Sequence, residues 1–313
     1  MNMTYQPELL VTAGSVEELE RLLQAGANAV LVGEEKYSMR MPGEMTIADI
    51  EASLPIVRSH NAKLYVAVNN IMHNEHLTDL STYLKRLEEL GVNAIAYGDP
   101  AVIMVARTAA PTLRLQWNAE MTSTNYRTAQ YWQKRGASRI VAARELNLEQ
   151  VVEMKRELPD MEVQVQIHGM TNIYHSKRHL VHHYMRHLGK EEGTYEVGME
   201  QKLFLVERER QDEKFPMYED ANGTHIMSSD DMCIIEDLKL LLDAHIDSFK
   251  IEGILKSIHY NETIVRVYRE AIDSYIADPK GYSMKEEWLE RIRAVQDPER
   301  ELSFGFFYKE QMY

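Results

Sequence analysis

Along the chain, amphipathic stretches repeatedly run into a glycine, a small polar residue and a short apolar run. The copies are Gln24-Ala25-Gly26-Ala27-Asn28-Ala29-Val30, Leu90-Gly91-Val92-Asn93-Ala94-Ile95 and Arg135-Gly136-Ala137-Ser138-Arg139-Ile140. Ala244-His245-Ile246-Asp247-Ser248-Phe249 repeats the pattern with His245 in the glycine's place. Such a unit predicts a helix closed by a left-handed glycine, a short loop and a buried strand. Helix starts are marked as well. Ser15-Val16-Glu17-Glu18 has the form of a capping box and Asn147-Leu148-Glu149-Gln150 a similar one. Leu77, Leu80, Leu84 and Leu87 then make one apolar stripe at helical spacing.

The strands predicted between these helices are 8–12, 29–33, 63–69, 94–98, 114–120, 139–144, 162–168 and 248–253. Strands alternating with helices pair in parallel, because each crossover returns the chain in the same direction. An open doubly wound sheet gives a similar element list. Its dinucleotide-binding form needs several glycines after the first strand, however, and Val11-Thr12-Ala13-Gly14-Ser15 has a single one. The expected fold is therefore α/β, a (β/α)8 TIM-type barrel. Residues 1–277 are expected to form it, with an insertion at about 170–229 before the last strand. A C-terminal helical extension, residues 278–313, is expected to pack on the barrel. Within the insertion, Glu219-Asp220-Ala221-Asn222-Gly223-Thr224 carries a hairpin-turn signal.

Charge and cysteine content narrow the function. Lys and Arg number 35 against 49 Asp and Glu, a net −14, which argues against a general affinity for nucleic acid or acidic membranes. No apolar run approaches the roughly 20 residues of a membrane span, and the opening residues lack a signal-peptide profile, so a cytoplasmic location is expected. The one cysteine, Cys233, excludes an intramolecular disulfide and any metal centre that needs several thiolates from this chain alone. It precedes Ile234-Ile235 at the predicted start of a helix, where a buried thiol is the commoner reading and an activated one the alternative.

Against this acidic background the stretch 166–190 stands out. It holds His168, His175, His179, His182, His183 and His187 together with Lys177, Arg178, Arg186 and Lys190, and no carboxylate. Read as a helix, it places His175, His179, His183 and His187 on one face, a spacing at which imidazoles can share a metal ion. The HExxH motif is absent and no carboxylate support is visible in the segment, so no metal site is assigned. Lys177, Arg178, His179 and Arg186 are instead expected to face RNA or a protein partner, with a solvated helix as the alternative.

In a barrel, reactive side chains sit at the C-terminal ends of the strands. The polar residues there are Asn69, Asn70, Asn118, Glu120, Arg144, Glu145, His168, Lys250 and Glu252. Arg144, His168 and Glu252 are the catalytic candidates; Asn69, Glu120 and Lys250 are candidates for substrate binding. Arg144 and Lys250 suit a carboxylate ligand, and His168 could shuttle a proton near neutral pH. The plainer alternative makes Glu252 an internal salt-bridge partner of Lys250 or Arg144. No G-x-S-x-G elbow or P-loop is present.

Several of these segments, read in order, resemble the motifs of the peptidase U32 family of collagenase-like proteases. They are Pro7-Glu8-Leu9-Leu10, Ala13-Gly14-Ser15, Tyr65-Val66-Ala67-Val68-Asn69 with His73-Asn74-Glu75, Ala143-Arg144-Glu145-Leu146, Ile167-His168-Gly169 and Lys250-Ile251-Glu252-Gly253. The resemblance runs from about Pro7 to Ala277 and adds His73 to the substrate-binding candidates. It implies more than proteolysis: one branch of the family hydroxylates tRNA wobble uridine with prephenate as the candidate oxygen donor, and another acts on ubiquinone precursors. Those branches carry a four-cysteine iron–sulfur cluster, whose ligand positions fall here at Asn172, His179 and Cys233. Only Cys233 is a cysteine, so no cluster and no other cofactor is expected on this chain alone. Ile254 stands where the family has an arginine, and Glu120 where it has a glutamine. The similarity to short, cysteine-poor members implies support of 5-hydroxyuridine formation in tRNA. The implied partners are a longer, cysteine-bearing paralogue, tRNA, and prephenate or a similar small carboxylate. A peptidase and a non-catalytic scaffold or small-molecule-binding protein are the alternatives.

Overall fold

The structure is a computed structural model that describes residues 5–118, 123–191 and 193–309. Strands β1 (Glu8–Thr12), β2 (Ala29–Val32), β3 (Lys63–Val68), β4 (Ala94–Tyr97), β5 (Leu115–Trp117), β6 (Ala137–Val141) and β7 (Glu162–Gly169) pair in parallel, each with the next. Helices α1 (Val16–Ala25), α2 (Ile47–Ser59), α3 (Asn74–Leu90), α4 (Pro100–Ala109), α5 (Tyr126–Gln133) and α6 (Leu148–Glu157) form the crossovers. After β7 the chain builds β8 (Asn172–Ser176), α7 (Leu180–His187), β9 (Leu203–Val206), β10 (Lys214–Asp220), β11 (Gly223–Met227) and β12 (Asp231–Cys233). Helix α8 (Leu238–Asp243) then leads to β13 (Ser248–Glu252), which pairs in parallel with both β7 and β1 and closes an eight-stranded barrel. Helix α9 (Ile258–Ala277) completes the last unit, α10 (Glu286–Val295) packs on it, and β14 (Leu302–Ser303) pairs with β12. Among the described residues, no helix is long and apolar enough to cross a membrane.

The local signals act as their chemistry requires. Gly26, Gly91 and Gly136 all take positive φ after their helices, and His245 does the same at φ 56° without being a glycine. Ser15 caps α1 by accepting the Glu18 N–H, but the Glu18 carboxylate accepts from Gly14 N–H at 2.8 Å rather than returning to Ser15. At α6 both halves of the box form, between Asn147 and Gln150. Leu80, Leu84 and Leu87 are buried between α3 and the barrel wall, with Leu77 half-buried beside them.

Alternation along the strands divides the core in two. One set of strand side chains, such as Leu9, Val11, Val66, Ile95 and Ile251, packs outward against the helices. The other set fills the barrel in layers. Its floor is polar: the buried Arg139 reaches Glu8 at 2.6 Å, Glu162 at 2.8 Å and Gln164 at 3.1 Å, while Tyr65 and Ser248 also donate to Glu8. Above it lie Leu10, Leu31, Ala67 and Ala96. The top layer is polar again and opens at the C-terminal ends of the strands.

The chain between β7 and α8 differs from the helix expected across the His-rich stretch. Asn172–Ser176 is a strand, because its backbone pairs with β11 in a four-stranded antiparallel sheet ordered β8-β11-β10-β9. His175 therefore lies on a strand, and it does not share a helix face with His179, His183 and His187. The expected hairpin does form, with Asp220 paired to Gly223 across the Ala221-Asn222 turn. Cys233 ends β12 instead of starting a helix, since its pairing with His168 extends the barrel sheet by one antiparallel strand. Asp231 on that strand is fully buried and bound by Lys256 at 2.5 Å and Arg300 at 2.8 Å, which anchors the C-terminal segment.

Candidate functional site

The top of the barrel holds a pocket lined by Asn118, Arg144, Gln166, Lys250 and Glu252, among others. A second, outer pocket is lined by Asn69, Asn70, Gly98 and His175, and the two share Arg40, Asn118, Arg144 and Asn172. They form one cleft. The insertion roofs part of it. At the hairpin turn, Asn222 donates from Nδ2 to the Glu35 and Ser38 carbonyls at 3.2 Å each, and accepts from Asn70 at 2.7 Å. A buried side-chain amide thus bonds the hairpin to the loop after β2 and to the end of β3.

Lys250 and Glu252 both point inward from β13, two residues apart as strand alternation requires. Their charges meet at 2.7 Å, with both side chains nearly buried. The other Glu252 oxygen accepts from Thr12 at 2.8 Å and from Ile254 N–H at 3.3 Å. The carboxylate is therefore fully engaged, as the salt-bridge alternative anticipates. Gly169 closes on the same residue. Its φ is +99°, and a Cβ there would meet the Glu252 carbonyl oxygen at 2.2 Å, so only glycine fits.

Of the other sequence-derived candidates, Arg144 lines both pockets and Asn69 the outer one. Asn69 also accepts the Met39 N–H at 3.0 Å, which holds the loop that carries Arg40. His73 sits exposed at the start of α3 and lines neither pocket. Glu120 lies outside the described residues. His168 does not join the cleft. The β7–β13 register shifts between Lys250 and Ile251, so Gln166 faces Lys250 while His168 pairs with the outward Ile251. A one-residue slip sends a side chain to the other face of a sheet. The ring is fully buried, with Nε2 2.8 Å from the Tyr260 hydroxyl, and burial pushes its pKa down to about 3. It is a neutral core histidine at physiological pH.

Arg40 has no readable signal in the sequence, whereas Asn118 is among the polar strand-end residues. Arg40 takes a left-handed conformation at φ 58°, uncommon for a residue with a side chain, in a loop of no recognisable motif. The Asn118 side-chain oxygen is buried with no hydrogen-bond partner among the described residues. An orphan acceptor of this kind, in a cleft lined by arginine and lysine, suits a ligand that brings a hydroxyl or amine donor next to an anionic group.

The basic segment lies beside the cleft, on the insertion. Lys177, Arg178, His179 and Arg186 are all exposed, as are the apolar side chains of Tyr174, Tyr184 and Leu188. Lys177 lies 4.0 Å from Glu75, at the limit of an ion pair.

A closed parallel barrel with a charged cleft at its C-terminal end, roofed by an inserted antiparallel sheet, defines a TIM-type barrel protein. The chain belongs to peptidase family U32, whose model matches residues 14–313. It is 47% identical to tRNA hydroxylation protein P2 of Bacillus subtilis (strain 168), over 98% of this chain and 99% of that protein. It is 32% identical to tRNA hydroxylation protein P1 of the same organism, over 99% of this chain but 74% of the relative, which is therefore the longer protein. Among solved structures, the U32 peptidase Mk0906 shares the fold at a TM-score of 0.51 and 16% identity, over 80% of this chain and 94% of the other.

Proposed function

We propose that this protein supports the 5-hydroxylation of wobble uridine in tRNA, together with a longer, cysteine-bearing relative. The observation that carries the reading is the 47% identity to a tRNA hydroxylation protein, which extends over nearly the full length of both chains. The cleft takes a small carboxylate, prephenate or a close analogue. Arg144 supplies a planar fork for the carboxylate and Lys250 a point charge steadied by Glu252. The orphan Asn118 oxygen accepts from the ligand's hydroxyl. Arg144, Lys250 and Asn118 are thus binding residues, and Glu252 positions Lys250.

The longer relative supplies what this chain lacks. Cys233 is its one cysteine, and burial pushes that thiol's pKa up, so the chain alone offers no ligand set for an iron–sulfur cluster. The exposed Lys177, Arg178 and Arg186 form the contact with tRNA or with the longer protein. A tRNA substrate places the work in the cytoplasm. A peptidase reading finds less support, because among the described residues neither pocket lining includes a serine, threonine or cysteine.

The site reading is tested by complementation. A strain lacking the gene receives wild type, Arg144→Ala or Lys250→Ala at matched protein levels, and its tRNA nucleosides are quantified by mass spectrometry. Wild type restores 5-hydroxyuridine-derived nucleosides and the two variants do not. Full restoration by both variants rules out the cleft as the working site.

A further inference from the structure

His179, His182 and Glu219 form a cluster on the insertion that the barrel cleft does not use. Their donor atoms lie within 4.8 Å of one another. His182 Nδ1 is 2.5 Å from Glu219 Oε2, and His179 Nδ1 is 3.8 Å from the same oxygen. Donors around a four-coordinate zinc ion, with bonds near 2.0–2.2 Å, stand roughly 3.3 Å apart, and these two separations bracket that value. Small side-chain rotations suffice to admit an ion.

The carboxylate is built into the fold. Glu219 is buried on β10, and its Oε1 accepts from Val181 N–H at 2.8 Å and from the Thr224 hydroxyl. Thr224 is fixed in turn, accepting Leu180 N–H at 2.9 Å, with its hydroxyl oxygen 2.7 Å from the Arg178 carbonyl. These contacts hold one oxygen and turn the other toward the two imidazoles, the outer support that metal-binding carboxylates need. Tyr195 packs on His182, with ring centroids 5.4 Å apart, while His179 stays half-exposed and leaves an open side for water. Nothing along the chain marks this set, because the i, i+4 histidine series is the wrong one and the carboxylate comes from a strand beyond the segment.

We propose that His179, His182 and Glu219 bind one first-row divalent transition-metal ion, best matched by zinc, which fastens α7 to the β10–β11 hairpin. Two imidazoles and one carboxylate select against magnesium and calcium, which prefer oxygen donors throughout. The ion ties α7, with its exposed Arg186, to the hairpin that roofs the cleft.

The test uses the full-length chain, stripped with a chelator and titrated with zinc chloride by calorimetry, with cobalt(II) absorption as a second readout. Wild type takes up one equivalent, and its cobalt form shows the intense visible bands of a four-coordinate site. His179→Gln and His182→Gln each weaken binding at least about tenfold, the loss typical when a site is deprived of a ligand or its support. His183→Gln and His187→Gln leave it unchanged. Circular dichroism confirms that the variants stay folded. The proposal is overturned if wild type shows no saturable zinc binding, or if the His179→Gln, His182→Gln double variant binds like wild type.

Discussion

Replacing Arg139 with Met should cost the barrel several kilocalories per mole and change its response to acid. The guanidinium is buried in the floor and paired to Glu8 at 2.6 Å and Glu162 at 2.8 Å. Burial by itself pushes the Glu8 carboxyl up. Arg139, Lys63 and Tyr65 together overturn that and hold it at about 2, against an ordinary 4.5. A depression of that size corresponds to about 3 kcal/mol of stability at neutral pH. Because the folded-state pKa is the lower one, this contribution is complete above pH 4.5 and is lost as the pH falls from there toward 2. Removing the arginine leaves Glu8 facing a half-exposed Lys63 and two hydroxyls. Breaking a buried pair in this way typically costs about 3–5 kcal/mol. Urea unfolding at neutral pH and at steps below 4.5 measures both effects. The gap between wild type and Arg139→Met should be widest at neutral pH and narrow as the solution is acidified. A variant within about 0.5 kcal/mol of wild type at neutral pH, the range of an ordinary surface substitution, would refute the reasoning.

Two further outcomes follow from the cleft and its roof. Gly169→Ala should destabilise the fold by about 1–3 kcal/mol or more, since the added methyl meets the Glu252 carbonyl, and a wild-type urea midpoint would contradict the geometry. The triple variant Lys177→Ala, Arg178→Ala, Arg186→Ala should keep the fold but weaken tRNA or partner association. If the contact is to phosphates, the salt dependence of tRNA binding should flatten by roughly 0.7–0.9 in log–log slope per lost contact, which filter binding across a salt series would show.

The barrel was legible because its signals are local. Buried parallel strands are short apolar runs, and the helices before β2, β4, β6 and β13 are each followed by a residue with a left-handed backbone, even where His245 replaces glycine. What depended on pairing between distant segments was not legible. The stretch around His175 has helical spacing on paper, but β11, some fifty residues on, supplies the hydrogen bonds that make it a strand. His168 sits at a strand end, where barrel logic places a reactive group, and a register shift in β7 turns it into the core. Strands β12 and β14 are too short to carry any periodicity. In the cleft, Arg144, Lys250, Glu252 and Asn69 could be read from strand ends. Arg40 could not, since a loop held by Asn69 delivers it.

The central claim, participation in tRNA uridine hydroxylation, is tested most directly by mass spectrometry of tRNA nucleosides. Strains lacking this gene, lacking the longer relative's gene, or lacking both are compared with the parent, and each deletion is complemented in turn. The account predicts that 5-hydroxyuridine-derived nucleosides fall when this gene is deleted and return when it is restored, with the largest loss in the double deletion. Unchanged levels of these nucleosides in the single deletion, and no gain on restoring this gene to the double deletion beside the longer relative, would contradict it.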